Sequence, residues 1–287
     1  MRTLFKVGFS LLVLAFILIG LSYSMLKAQG ISGASSFTGR SVESEKRAVG
    51  ADIQVIELDG PIDLTLRQGA TPSLQVKGEQ RLLGNVETSS AGNGLLHIGT
   101  TGMLLHHRQP LQVVLVLPAL REMRVRGSGD STVNGFSGDG ITVRMDGTGT
   151  LKFNGRYRQV DARVRGSGEV EMNGGVSGKV DATVEGSGRM TVVGSAAELK
   201  AVLAGSGELN ARHLRADVVD LSMMGSGSAE VNATRRFDAS LRGSGDVVGR
   251  QPLAPKYDPA IDASLRQIGE VAGEHVHRHP AERARAL

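Results

Sequence analysis

Along the second half of the chain apolar and polar residues alternate one for one, and glycines interrupt the alternation at nearly constant intervals. One unit shows the pattern. Val160, Ala162 and Val164 alternate with Asp161, Arg163 and Arg165; Gly166-Ser167-Gly168 follows; then Val170 and Met172 alternate with Glu169 and Glu171. A period of two belongs to half-buried strands. Two residues before each copy of the glycine motif stand Val125, Met145, Val164, Val184, Leu203, Met223 and Leu241. Four before stand Met123, Val143, Ala162, Ala182, Ala201, Leu221 and Ala239, and six before, apolar residues recur in every copy except at Arg121. Leu151, Val170, Met190, Leu209 and Val247 continue the inward choice beyond the glycines.

The motif is Gly-Ser-Gly, once Gly-Thr-Gly. Its glycine pairs are Gly127 and Gly129, Gly147 and Gly149, Gly166 and Gly168, Gly186 and Gly188, Gly205 and Gly207, Gly225 and Gly227, and Gly243 and Gly245, at steps of 20, 19, 20, 19, 20 and 18 residues. A fixed period near twenty marks a chain that winds, one coil per repeat. The predicted fold is all-β, a single-stranded β-solenoid with coils of 19–20 residues, in which the glycines form the corners. A second corner is predicted at Asn134-Gly135, Asn154-Gly155 and Asn173-Gly174, with the Asn side chains stacked as a ladder. One coil buries too little to fold alone, so the repeats must act together.

Other segments break this period. Between Lys6 and Lys27 the chain carries no charge and includes the apolar run Leu11–Leu21. With Arg2 and Lys6 before it, residues 1–29 read either as a membrane anchor or as a cleaved signal peptide, and both send the remainder outward. Residues 30–50 read as a linker. Residues 51–120 read as irregular first coils that lead into the regular stack and cap it, with strands at Ile53–Leu58, Ile62–Leu66, Leu74–Val76, Leu95–Ile98 and Val113–Leu117. The regular solenoid occupies 121–249. In the tail, 250–287, Asp258-Pro259 resembles a helix start with Ile261, Leu265, Ile268 and Ala272 on one face, a candidate cap for the stack.

Composition narrows the chemistry. Cysteine and tryptophan are absent, and Phe and Tyr are few. That removes disulfides and thiolate metal sites and disfavours an aromatic-lined pocket or stacking on nucleic-acid bases. The formal charge of +4 comes from scattered Arg and the tail rather than one dense run, so nucleic acid is not an expected partner.

The outward acidic positions Glu122, Asp161, Asp181, Asp220 and Asp238 form a stripe five residues before the glycines. Asp161 and Asp181 fall on neighbouring coils, a spacing compatible with calcium or with a pair of glycosidase carboxylates. Arg124, Arg144 and Arg163 lie two residues on, so acidic and basic stripes are expected to neutralise each other. Asp161, Asp181, Arg144 and Arg163 are nonetheless the candidate ligand face. The Ser ladder has no recurring His or Asp beside it to activate a hydroxyl, and its glycine loops join strands rather than opening a helix. His275, His277 and His279 read as part of a solvated tail. The Asn232-Ala233-Thr234 sequon lies in a corner register and carries no weight. No catalytic residue, metal site or cofactor is expected.

The chain resembles the bacterial family described as "Putative auto-transporter adhesin, head GIN domain". The resemblance rests on Ile62–Gly69, on Leu95-Leu96-His97-Ile98, and on Pro118–Met123 running into Gly127-Ser128-Gly129, and it covers Ala51 to Gly249. It implies a β-solenoid of the bacterial cell envelope and brings no active site. The expected function is a non-enzymatic exported envelope protein that binds a surface glycan or another envelope protein. The alternatives are a scaffold or sensor of envelope stress, held in the inner membrane by its amino-terminal segment, and, behind it, a carbohydrate-active enzyme.

Overall fold

The computed structural model of the 287-residue chain describes residues 41–101 and 110–250. The apolar segment near the amino terminus, the candidate cap helix and the tail histidines lie outside the described residues. The strands, in chain order, are β1 (Val42–Arg47), β2 (Val55–Asp59), β3 (Ile62–Gln68), β4 (Ser73–Glu79), β5 (Val86–Ala91), β6 (Leu95–Thr100), β7 (Leu111–Leu117) and β8 (Glu122–Gly127). They continue as β9 (Asp130–Gly147), β10 (Thr150–Gly166), β11 (Glu169–Gly186), β12 (Arg189–Gly205), β13 (Glu208–Gly225), β14 (Ser228–Gly243) and β15 (Asp246–Arg250). One short helix, α1 (Gln80–Leu83), follows β4.

From β9 to β14 each long strand is one bent coil, paired in parallel with the coil before and after it. This is the predicted β-solenoid. The alternating residues behave as the pattern requires: Val160, Ala162 and Val164 are buried between the half-exposed or exposed Asp161, Arg163 and Arg165. The core is one continuous file of Val, Leu, Ala and Met along the stack, each coil's apolar set resting on its neighbours'. Phe136, Phe153 and Tyr157 fill the end of the core nearest the second corner, with the Phe153 and Tyr157 rings 6.0 Å apart.

The glycine corner divides its work between its two glycines. The first of each pair takes a positive φ, from +105° at Gly166 to +152° at Gly127. The second is hemmed in: a Cβ on Gly207 would stand 2.6 Å from the carbonyl oxygen of Gly188 on the preceding coil. Between them the Ser amide donates back across the stack, as from Ser206 to the Gly186 carbonyl at 2.9 Å. The corners stay in register throughout, glycine over glycine.

The second corner is looser. Asn134, Asn154 and Asn173 do stack, and the Asn154 Nδ2 donates to Asn134 Oδ1 at 3.0 Å. The ladder ends there, because Asn173 Oδ1 accepts instead from the Gly175 amide. Positive φ falls on Gly135, Gly175 and Gly194, not on Gly155 or Gly174. Strand register shifts at this corner in every coil pair from β9 to β14.

One expectation for the first half needs correction, and one feature of it went unforeseen. Residues 42–47, read as part of a linker, form β1, an edge strand antiparallel to β4. Its residues are nearly all exposed, so it carries no alternation to betray it. It is held by Arg47, whose guanidinium donates to the carbonyls of Leu83 (2.9 Å) and Val86. The first coils also do not follow one another in chain order. β2 and β3 lie between β6 and β7 on one side and β8 and β9 on the other, so the first coil in sequence is the second in space. β4 and β5 then add antiparallel strands to β7 and β6. This end of the stack is therefore closed, beside β7 and beside β6, by strands rich in charged and polar residues, a known protection for sheet edges.

Candidate functional site

The candidate face is built by the outward positions of the strand segments that enter the glycine corner. Asp161 and Asp181 are register partners on neighbouring coils, as are Arg144 and Arg163. The structure thus brings the four residues onto one face. It also supplies each with a partner. Asp161 Oδ1 accepts from Arg163 Nε at 3.1 Å, and Asp181 Oδ2 faces Lys179 Nζ at 3.1 Å. Glu122 Oε1 accepts from Arg124 Nε at 2.8 Å and from Arg144 Nη1 at 2.6 Å, joining two cations from successive coils. The hydrogen bond from Arg163 to Asp161, and then their mutual charge, hold the guanidinium pKa above its ordinary value; the bond from Lys179 to Asp181 does the same for that ammonium.

The charged face continues onto the irregular end. Glu57 and Asp59 stand beside Arg126 and His97: Arg126 pairs with both carboxylates, at 3.0 Å to Asp59, and His97 Nδ1 lies 3.5 Å from Asp59 and 3.7 Å from Glu57. Sequence reasoning missed this cluster. Its signal was the distance from Gly60, which sits beneath Gly127 with φ +105° and makes a corner of Gly60-Pro61-Ile62 without the Gly-Ser-Gly spelling. Also missed was a buried chain of hydrogen bonds at the second corner, from Ser177 Oγ to the Tyr157 carbonyl (2.8 Å) and from the Tyr157 hydroxyl to the Leu120 carbonyl (2.7 Å). Burial pushes the Tyr157 phenol up to about 12.

On the adjoining face, beyond the glycines, charges pair from coil to coil: Lys152 with Glu171 at 3.1 Å and Arg189 with Glu208 at 2.9 Å. A shallow hollow bounded by Glu198, Asp217, Arg235 and Arg236 lies on the third side, and there too Asp217 takes the Thr234 hydroxyl at 2.8 Å. Among the described residues no three His, Asp or Glu side chains gather as a metal site. What this arrangement offers chemically is a set of faces with charges fixed in rows and engaged with one another.

Such a stack defines a repeat protein of the β-solenoid class. The chain belongs to the family described as "Putative auto-transporter adhesin, head GIN domain", whose match covers residues 52–250. Among solved structures it is similar to a putative adhesin from Parabacteroides merdae, with 22% identity over 74% of this chain and 90% of that one and a TM-score of 0.69. It is also similar to a putative adhesin from Parabacteroides distasonis, with 23% identity, the same share of this chain, 95% of that one and a TM-score of 0.64. A third, from Parabacteroides distasonis and named as a putative lipid binding protein, has 21% identity, covers 74% and 90%, and has a TM-score of 0.69. At these identities the likeness is one of fold. No curated protein matches the chain. Among the described residues no helix is long and apolar enough to cross a membrane.

Proposed function

We infer that this chain is a non-enzymatic, exported protein of the bacterial cell envelope, which presents its coil faces to a surface glycan or to another envelope protein. The observation that carries this reading is the geometry of the charged face. Its acids and bases stand in rows along the stack and are already engaged with one another, as Glu122 is with Arg124 and Arg144. Mid-strand carboxylates on a flat face surround no sugar ring, whereas a row of half-exposed charges meets a long polymer at many weak points. Membership of an adhesin-like family supports the same class of role. The uncharged stretch between Lys6 and Lys27 either delivers the protein outward or keeps it at the inner membrane as a scaffold.

Two measurements test this. A tag after Leu287, cell fractionation, protease treatment of whole cells and the mass of the mature chain locate the protein. A protease-accessible chain outside the inner membrane is expected for the adhesin-like role, and a shielded, intact inner-membrane chain would favour the scaffold. Retention of the purified protein on isolated envelope polysaccharide, weakening as salt rises, is the second expected result. A cytoplasmic chain, or no retention on any envelope fraction at low salt, sinks the proposal.

A further inference from the structure

The two ends of the stack are not alike. At the far end β15 covers only the first part of β14, pairing Asp246 with Ser228 through to Arg250 with Asn232. Among the described residues no strand lies on the rest of β14 on the side away from β13. There Phe237, Ala239 and Leu241 are only partly buried, whereas their register partners one coil earlier, Val219, Leu221 and Met223, are 0%, 0% and 2% exposed. The stack therefore ends in a step at the corner Gly243-Ser244-Gly245, one layer higher on the β15 side than on the β14 side. Apolar side chains in an edge strand invite another strand.

The step is symmetric about its corner. Inward positions fall three and five residues from Ser244 on both sides, at Leu241 and Ala239 before it and at Val247 and Gly249 after it. The backbone shares this symmetry. The outward Asp246 donates its amide back to the Gly227 carbonyl at 3.0 Å, as the outward Glu208 does to Gly188 two coils earlier. Amides alternate along a strand, so those of Ala239, Leu241, Val247 and Gly249 point past the end of the stack.

A second copy, turned end over end about an axis through this corner, carries a matching step. Its β15 lies antiparallel on the open part of β14, and its β14 lies on β15 of the first copy. Residues equidistant from Ser244 then face one another. Leu241 meets Val247 of the second copy and Ala239 meets Gly249 of the second copy, with their amides and carbonyls pointing at each other. On the outward side Asp238 meets Arg250 of the second copy, Arg242 meets Asp246 of the second copy, and Ser240 meets Val248 of the second copy. Both charged pairs are opposite in sign, and the two-fold symmetry makes each of them twice. Asp238 already accepts from Arg236 at 2.6 Å, and Arg250 of the second copy adds another cation to it. Charge also selects this register. A slip of two residues keeps inward residues together, but in one direction it sets Arg236 against Arg250 and in the other it sets both Asp246 and Arg250 against serines.

We propose that the far end of the solenoid is a self-association surface, on which two copies join end to end by reciprocal antiparallel pairing of β14 with β15. The joint covers Ala239 and Leu241 and leaves neither copy with an open step.

The test uses the full chain, which contains no cysteine, in mild detergent. Ser240 and Val248 of the second copy form a pair without mutual hydrogen bonds, with Cα atoms about 4.5 Å apart, within disulfide range. A mixture of the Ser240→Cys and Val248→Cys proteins is expected to give a disulfide-linked dimer under mild oxidation, while each variant oxidised alone stays largely unlinked. No crosslink in the mixture, or self-linking as abundant as mixed linking, would overturn the proposal. Sedimentation supplies a second readout: Arg250→Asp sets like charges opposite one another and is expected to weaken dimerisation about tenfold. A monomeric parent, or a variant that dimerises like the parent, would count against it. Amide exchange at Ala239 and Leu241 is expected to be slow in the dimer and about tenfold or more faster on dilution to the monomer, with Leu221 and Met223 unchanged. Protection that persists in the monomer would assign the edge to the chain's own later residues and overturn the proposal.

Discussion

Replacing Gly205 by Ala tests the corner more sharply than any deletion. Gly205 holds φ at +122°, and a Cβ there would stand 2.4 Å from the Gly186 carbonyl oxygen and 3.1 Å from the carbonyl carbon and amide nitrogen of the same residue. Residues with a Cβ reach such backbone angles only at a cost of about 1–3 kcal/mol. The clash is with backbone, which no rotamer change relieves. Moving the oxygen to ordinary contact distance means opening the corner by about an ångström, which breaks the bond from the Ser206 amide to Gly186, worth roughly 0.5–1.5 kcal/mol. Together these give a loss of about 2–4 kcal/mol, or a fall in Tm of roughly 4–16 °C for a domain of this size. Thermal melts followed by circular dichroism on the purified protein measure it. Gly140→Ala is the control, because no atom lies within 4 Å of its Cβ position and it has no positive φ, and it should match the parent to within about 0.5 kcal/mol. Ser206→Ala should do likewise, since the exposed Ser contributes its backbone amide to the corner. A Gly205→Ala protein that melts within about 2 °C of the parent would falsify the corner argument.

Three further outcomes are expected. Tyr157→Phe leaves the buried Leu120 carbonyl without its donor and should lower stability by about 1–3 kcal/mol, read from denaturant unfolding. Because the folded phenol titrates at about 12 against an ordinary 10.0, it binds more protons folded than unfolded between those values. Its contribution is therefore complete below pH 10 and declines as pH rises towards 12, a slope that Tyr157→Phe should lack. Glu122→Gln removes the charge between Arg124 and Arg144, and should lower stability by up to about 1 kcal/mol at low salt and less in high salt; a salt-independent difference would count against the pairing. Finally, chelator should leave Tm unchanged, since Asp161 and Asp181 already face Arg163 and Lys179; a fall with chelator that calcium reverses would reinstate them as ligands.

What the sequence revealed depended on how local the cause was. Glycine over glycine, with inward Val164, Val184 and Leu203 above one another, follows from a period visible along one dimension. β1 was invisible because Val42–Arg47 is paired on one side and exposed except at Arg47, so nothing selects alternating residues there. The exchange of order between β2 and β6 depends on contacts forty residues apart, which no local pattern records. The paired charges were legible as stripes at Asp161 and Arg163. Which acid met which base was not: Arg144 reaches back a coil to Glu122, while Arg163 stays on its own strand. Tyr157 lies outside the repeating registers, and its hydroxyl is explained by the Leu120 carbonyl, which the fold brings to it from 37 residues away.

The two corners also divide tolerance to length. Coils of unequal length stack glycine upon glycine because every shift in register is absorbed on the opposite side, where Val176 is 81% exposed. Residues added at Val176 would project from the side of the stack and leave the pairing before and after them untouched, whereas residues added between Gly186 and Gly188 would push every later rung out of step. The second corner is thus where this scaffold can acquire a loop, an epitope or a new recognition segment while keeping its frame.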